Sequence, residues 1–420
     1  MAGPVLGAAD LDDIDHALAA SDAERHAAYP GDRSDRQPVH TVYVPADRSH
    51  AGLPAAWGAA ALVALDEHAP DPAALAAAVG LPAEEVASVW DAVRAKLATE
   101  PIEDLRLDLE DGYGSPPEDV EDAHARGAGQ VVAALGAQQG SPPYLGIRFK
   151  SLEGSTRRRG LRSLDLALAA LLEAGPLPAG WVVTLPKVTS TAQVVAMTDV
   201  CSRLERGHGL APGSLRFEIQ VETPQAVLLA DGTAGVARML HAAAGRCTGL
   251  HFGTYDYTAA LGIAGGQQSL DHPAADHAKA VLQLAAAGTG VRVSDGSTNL
   301  VPAGGRSQVH AGWARHARLV RRGLERGFYQ GWDLHPAQLV TRYLSTYLFF
   351  RTGLSEVGGR LRRYLQGSAA DVMDEPATAQ ALAAFVLRGV HCGAVTAEEV
   401  RGLVGADPAA LAALAHRRVG

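Results

Sequence analysis

Residues 217–227 read FEIQVETPQAV. A short, mainly apolar run suited to a buried strand stops at the carboxylate of Glu222, and Thr223-Pro224 follows as a helix start. HFGTYDYTAALG, at 251–262, repeats the arrangement with Asp256 as its carboxylate. Reading outward in both directions, strands are expected at 41–44, 105–109, 144–149, 181–185, 217–221, 249–253, 291–294 and 328–334, with helical patterns between them. Seven of the eight are closed by a polar residue: Glu110, Arg148, Lys187, Glu222, Asp256, Asp295 and His335. Successive members stand 34 to 40 residues apart, the length of one β/α unit. The pattern predicts an α/β protein built as a (β/α)8 TIM barrel, with all seven residues facing the mouth formed by the C-terminal strand ends. A doubly wound sheet would carry a glycine fingerprint after its first strand, and TVYVPADRSH at 41–50 has none.

The rest of the chain divides around that barrel. Residues 1–39 read as an acidic N-terminal extension with a helix near 10–26 ended by Pro30-Gly31. Residues 40–352 form the barrel, with two helical segments, 53–68 and 71–98, inserted between its first two strands. A C-terminal helical appendage, 353–420, is expected in fragments separated by Gly358-Gly359, Gly367 and Pro376. Two placements of this tail are open: over a barrel mouth, its own or a neighbour's, or as an added layer on the outside.

Composition narrows the partners. The 420 residues are 47% hydrophobic and 20% charged, with a net charge of -9, which argues against nucleic acid or an acidic membrane surface as a partner. No run approaches the roughly 18 uninterrupted apolar residues of a membrane span. The first 20 residues carry four aspartates and lack the basic and apolar regions of a signal peptide. Cys201, Cys247 and Cys392 are too scattered for a disulfide framework or a thiolate zinc site, as suits a reducing cytoplasm. At this net charge, any anionic substrate must therefore be met by local positive charge.

Glu222 and Asp256 end neighbouring units, and adjacent strands lie about 4.8 Å apart, so both carboxylates can reach one ion. Two carboxylates plus waters suit Mg2+. Each also has a plainer reading, as a helix-start partner for Glu222 and as a turn cap for Asp256.

The runs LDLEDGYG (107–114), GIRFK (146–150), LPKV (185–188), QVETPQAV (220–227), HFGTYDYTAALGI (251–263) and DLHPAQL (333–339) occur in one order over residues 40–350. This resembles the citrate lyase β-subunit and malyl-CoA lyase group of the HpcH/HpaI aldolase superfamily. The resemblance implies a Mg2+-dependent carbon–carbon lyase or aldolase, with Mn2+ as a substitute, acting on a small 2-oxo or hydroxy acid or its CoA thioester within a homo-oligomer. It implies Glu222 and Asp256 as metal ligands, Arg148 as the substrate arginine, and Glu110 and Asp111 as an acidic pair beside the metal waters. Ordinary citrate lyase β chains are shorter and lack the inserted helices, which leaves the acid and the catalytic base open.

Physical chemistry is consistent with those roles. Bond cleavage beside a carbonyl develops an enolate, which a divalent ion and a guanidinium can stabilise. Arg148 has a second reading, as an ion-pair partner of Glu110 or Asp111. Lys187 reads as an electrostatic or structural cation in preference to a Schiff-base lysine. His335 is a candidate proton shuttle or a loop-fixing histidine. Asp295, in SDGS, reads either as a hydrogen-bond partner of the residues that hold the metal or as a plain turn residue. Arg157, Arg158 and Arg159 are expected in a solvated loop, and the arginines of 315–326 on the outside of the barrel. Two other classes remain: phosphoryl transfer or hydrolysis on an enolpyruvate-like compound, and a non-catalytic metabolite-binding barrel.

Overall fold

The computed structural model describes residues 4–367 and 375–416; residues 1–3 of the expected extension, and 368–374 and 417–420 of the expected appendage, lie outside the described residues. Eight strands form, each where the short apolar runs are: β1 His40–Pro45, β2 Asp104–Asp108, β3 Tyr144–Arg148, β4 Trp181–Leu185, β5 Phe217–Val221, β6 Cys247–Phe252, β7 Arg292–Ser294 and β8 Gly331–Asp333. They make one parallel sheet in the order β7-β6-β5-β4-β3-β2-β1-β8. Between β7 and β8, Asp295 N donates to Gln330 O at 2.8 Å and Trp332 N to Gly296 O at 3.3 Å, which brings the sheet round to near closure. The fold is the TIM-like barrel that the sequence predicts.

Side chains alternate along each strand. One set, including Val42, Leu105, Leu107, Ile147, Leu185 and Ile219, is fully buried in the hydrophobic core shared with the surrounding helices. The other set meets across the barrel. Arg106 of β2 donates to Glu218 of β5 at 3.2 and 3.1 Å. His251 Nε2 of β6 lies 3.0 Å from Glu218, and Trp332 Nε1 of β8 donates to His251 Nδ1 at 3.2 Å. Strands that are not neighbours can join only through the interior, so the barrel is filled by a polar pillar in place of the usual apolar layers. Burying these charges is tolerable because each has a partner.

Outside the barrel several expectations change. The helix Ala8–Ala28 has no buried residue. The segment after it is tied across the N-terminal strand ends: Gly31 N donates to Gly288 O at 2.8 Å, Arg36 to Glu100 at 2.9 Å, and Val39 N to Glu103 at 2.9 Å. Three helices, Leu53–His68, Pro72–Val79 and Ala83–Thr99, fill the insertion after β1. Arg157 to Arg159 open the helix Arg157–Ala174 instead of lying in a solvated loop, and Arg159 is ion-paired to Glu121 and Asp122. The helix Arg306–Glu325 carries its arginines outward as expected, with Arg318 on Asp271 at 2.8 Å.

The helix Gln338–Leu365 runs without a break through Gly358-Gly359, where an interruption was expected. Gly358 is buried where a Cβ would lie 3.4 Å from Leu403 and 3.7 Å from Val404, ordinary packing distances, so the glycine sits within a helix contact and does not act as a stop. The helices Pro376–His391 and Ala397–Val404 pack along this long helix. Leu387, Arg388 and His391 line a cavity with Asp32, Arg33 and the start of β7, which sets the tail beside the N-terminal strand ends, away from the mouth. All three cysteines are buried and free. Among the described residues no single helix is long and apolar enough to cross a membrane.

Candidate active site

β2 carries charged residues at every second position, Asp104, Arg106 and Asp108, and the last of these reaches the mouth. Asp108 holds Arg148, the final residue of β3, through Nε and Nη2, both at 2.7 Å. The same carboxylate accepts Glu110 N at 3.0 Å and Gly112 N at 2.9 Å, which fixes the loop carrying Glu110 and Asp111. Tyr43 lies with its ring 4.7 Å from the Arg148 guanidinium carbon. With one edge on Asp108, Arg148 has Nη1 left to turn toward Gln220 at 3.3 Å and Glu110 at 3.4 Å. Burial opposes its charge, but Asp108 and Glu110 hold the guanidinium protonated. The ion-pair reading of Arg148 is therefore met with Glu110, while its principal anchor is Asp108.

Glu222 follows β5 and is 2% exposed. Its Oε1 accepts Lys187 N at 2.9 Å, and its Oε2 accepts the Gln220 side-chain amide. Gly253 leaves the space that this carboxylate occupies, since a Cβ there would fall 2.4 Å from Glu222 Oε2. Burial pushes the Glu222 carboxyl up to about 8, with Asp256 and Glu110 adding to the rise against Lys187. Asp256 itself stands in the first turn of the helix Thr254–Ala260, half exposed.

Lys187 gathers the ring. Its Nζ lies 2.6 Å from Asp111, 3.1 Å from Glu110 and 3.4 Å from Asp256. Burial works against the ammonium, but Glu222, Glu110 and Asp111 raise its pKa well above the usual lysine range, so it stays a cation and not a free amine. Its φ of 50° puts a non-glycine residue in the left-handed region, a conformation maintained only where the surroundings impose it. Burial raises the Glu110 carboxyl while Lys187 keeps Asp111 low, so two adjacent acids are driven apart in proton affinity.

Six of the residues singled out in the sequence thus meet: Glu110, Asp111, Arg148, Lys187, Glu222 and Asp256. Two do not join them. Asp295 is buried against the helix Pro273–Ala286, ion-paired to Lys279 at 3.0 Å, which corrects its expected place in the mouth. His335 accepts Ala337 N at Nδ1, 3.2 Å, and among the described residues no hydrogen bond or ion pair links it to the ring; burial lowers its pKa. Sequence reasoning passed over Asp108, Gln220, Tyr43 and Gly253. The charge at every second residue of β2 was the available signal for Asp108.

The donors suit a hard divalent cation, being carboxylate oxygens gathered at one mouth. Among the described residues no three His, Cys, Asp or Glu side chains are arranged around one ion position. The chain would then supply Glu222 and Asp256, the one or two carboxylates that Mg2+ takes when waters and substrate oxygens complete its shell.

The family model described as "Domain of unknown function (DUF6986)" matches residues 18–419. No curated protein matches the chain. Among solved structures, Haloferax volcanii malate synthase in a lead(II) complex is similar, with a TM-score of 0.51 and 18% identity over 82% of this chain and 82% of that one. Native malate synthase from the same organism at 3 mM glyoxylate gives 0.49 and 17%, over 75% and 76%. The citrate lyase β subunit from Mycobacterium tuberculosis gives 0.41 and 19%, over 74% and 98%. At 18% identity, the first of these likenesses is one of fold.

Proposed function

Since the chain belongs to the DUF6986 family, whose description assigns no activity, and carries a carboxylate ring at the mouth of its barrel, we propose that it is a divalent-metal-dependent carbon–carbon lyase or aldolase. Its substrate in this reading is a small 2-oxo or hydroxy acid, free or as a CoA thioester, and its metal is Mg2+ or Mn2+. The observation that carries the proposal is the fully buried Glu222 carboxyl beside Asp256, facing the anchored guanidinium of Arg148. The motif resemblance to the citrate lyase β and malyl-CoA lyase group supports the same chemistry.

A divalent cation held by Glu222 and Asp256 would supply Lewis-acid stabilisation for negative charge on a carbonyl oxygen. The chain's own residues do the rest. Arg148, clamped on Asp108 and backed by Tyr43, offers a pre-oriented donor to a carboxylate or to the developing enolate oxygen. Lys187 adds fixed positive charge and draws Asp111 and Asp256 into place. With Glu222 and Asp256 given to the metal, Glu110 and Asp111 are the acidic pair left at the mouth, the first with its proton affinity raised and the second kept ionised on Lys187, so protons would pass through this pair.

Purified protein is assayed with Mg2+ or Mn2+ against a panel of 2-oxo and 3-hydroxy acids and their CoA thioesters, following release of pyruvate, glyoxylate or an acyl product. Turnover that EDTA abolishes, with Mn2+ binding by calorimetry lost in both Glu222→Ala and Asp256→Ala, is the expected result. Unchanged Mn2+ binding in those variants would sink the metal assignment. Phosphate release in place of bond cleavage would replace the reaction class.

A further inference from the structure

The tail helix Pro376–His391 encloses a cavity of about 260 Å3 against the segment 32–37, the start of β7 and the end of the helix Pro273–Ala286, at the barrel end opposite the mouth. Its walls carry three guanidiniums, of Arg33, Arg292 and Arg388, and two imidazoles, of His391 and His416, against the carboxylates of Asp32 and Asp35.

Two of the cations share one carboxylate. Arg33 Nε donates to Asp35 at 2.9 Å, and Arg292 is ion-paired to Asp35 at 2.8 Å and donates to Tyr144 Oη at 3.2 Å. Asp32 is exposed and, among the described residues, pairs with no base. Arg388 is left over. Partly buried, it lies with its guanidinium carbon 4.3 Å from the centre of the Tyr329 ring, and among the described residues its side chain makes neither an ion pair nor a hydrogen bond. A guanidinium stacked on an aromatic face keeps its N–H groups in its own plane, free to fork onto a carboxylate or phosphate. His391 follows three residues later on the same cavity-lining face of the helix, also partly buried and without an ion pair or side-chain hydrogen bond among the described residues. Burial lowers its pKa, and the guanidiniums of Arg36, Arg292 and Arg388 lower it further against Asp35 alone. The field at this wall is therefore positive, opposite in sign to the acidic ring at the mouth.

We propose that this cavity is a second ligand site, for a small anion whose carboxylate or phosphate group lies between the Arg388 guanidinium and the His391 imidazole, with Arg292 adding to the field. An anion there joins the tail helix to the barrel and to the segment after the first helix. The site stands apart from the chemistry at the mouth and does not depend on it.

Titration calorimetry on the full chain in EDTA, with inorganic phosphate and, separately, malonate, tests this. At least one of them is expected to bind, and which one binds assigns the acidic group. Arg388→Gln is expected to weaken that binding by about tenfold or more, the weight of one charge-assisted contact. His391→Phe is expected to weaken it about threefold or more through loss of a neutral donor. Arg388→Lys, which keeps the charge and loses the fork, is expected to bind more tightly than Arg388→Gln, an order that a mere loosening of the tail would not give. Lys187→Ala, at the mouth, leaves binding unchanged. Four outcomes overturn the proposal: no heat from either anion up to about 10 mM, wild-type affinity in Arg388→Gln or in His391→Phe, no gain of Arg388→Lys over Arg388→Gln, or loss of binding in Lys187→Ala.

Discussion

Gly253 exists as glycine because Glu222 needs the room, not because of its backbone angle, which is an ordinary φ of -92°. Gly253→Ala is therefore expected to push the Glu222 carboxylate aside and lower kcat/KM about 100-fold, with only a small change in Tm. Equal activity in the alanine variant would show that the carboxylate position is unimportant. Asp108→Asn keeps the shape of the Arg148 anchor but removes its charge. Kinetics of that variant should show kcat/KM reduced about tenfold or more with Mn2+ affinity unaltered, a split that an unfolded variant would not give. The contrast between these two residues and Glu222 explains what the sequence revealed of the site. Glu222, Asp256, Arg148 and Lys187 stand where an apolar run ends, so their polarity is conspicuous. Asp108 ends β2 but stands between Leu107 and Leu109, inside the expected strand 105–109, Gln220 is an ordinary polar strand residue, and a glycine's purpose depends on what fills the space beside it. His335 and Asp295 were conspicuous for the same reason as Glu222, but one serves a helix start and the other an ion pair with Lys279.

Among the elements, the eight strands were legible because each couples an apolar outer set to a short length bounded by polar or turn residues. The long helix Gln338–Leu365 was not, because glycine pairs usually end a helix, whereas here Gly358 meets Leu403 and Val404. That the interior of the barrel is ionic was also hidden: alternation in DLRLD assigns a face but cannot say that Arg106 reaches Glu218 across the barrel. The helix Ala8–Ala28 presents the opposite case, legible as a helix but contributing no buried residue. A chain without residues 1–28 is expected to melt within about 2 °C of the intact protein in differential scanning calorimetry. A larger drop would mean that this helix is bound in solution to a surface of its own chain or of another.

For the molecule as a whole, acid stability depends on carboxylates held ionised by arginines. Glu205, at the end of the helix Thr191–His208, accepts Leu215 N at 2.8 Å and two donors of Arg246 at 2.6 and 2.8 Å, and its pKa falls to about 2. Its folded pKa lies below the unfolded value, so its contribution is complete above the ordinary glutamate range and disappears as pH falls toward 2. The lost contribution is at most ~3 kcal/mol. Melting curves from pH 6 to 2 should show Glu205→Gln less stable at pH 6 and a shallower loss on acidification; parallel curves would assign the acid limb to other groups. The continuous helix Gln338–Leu365 has a consequence of another kind. It begins under the barrel's eighth strand and ends among the tail helices, so the tail is not a cassette added behind a finished barrel. Proteolysis has no exposed loop to cut at that junction, and recombination between related genes near residue 352 would splice through the middle of a packed helix. The barrel and the first part of its tail must therefore be inherited, exchanged and shortened together.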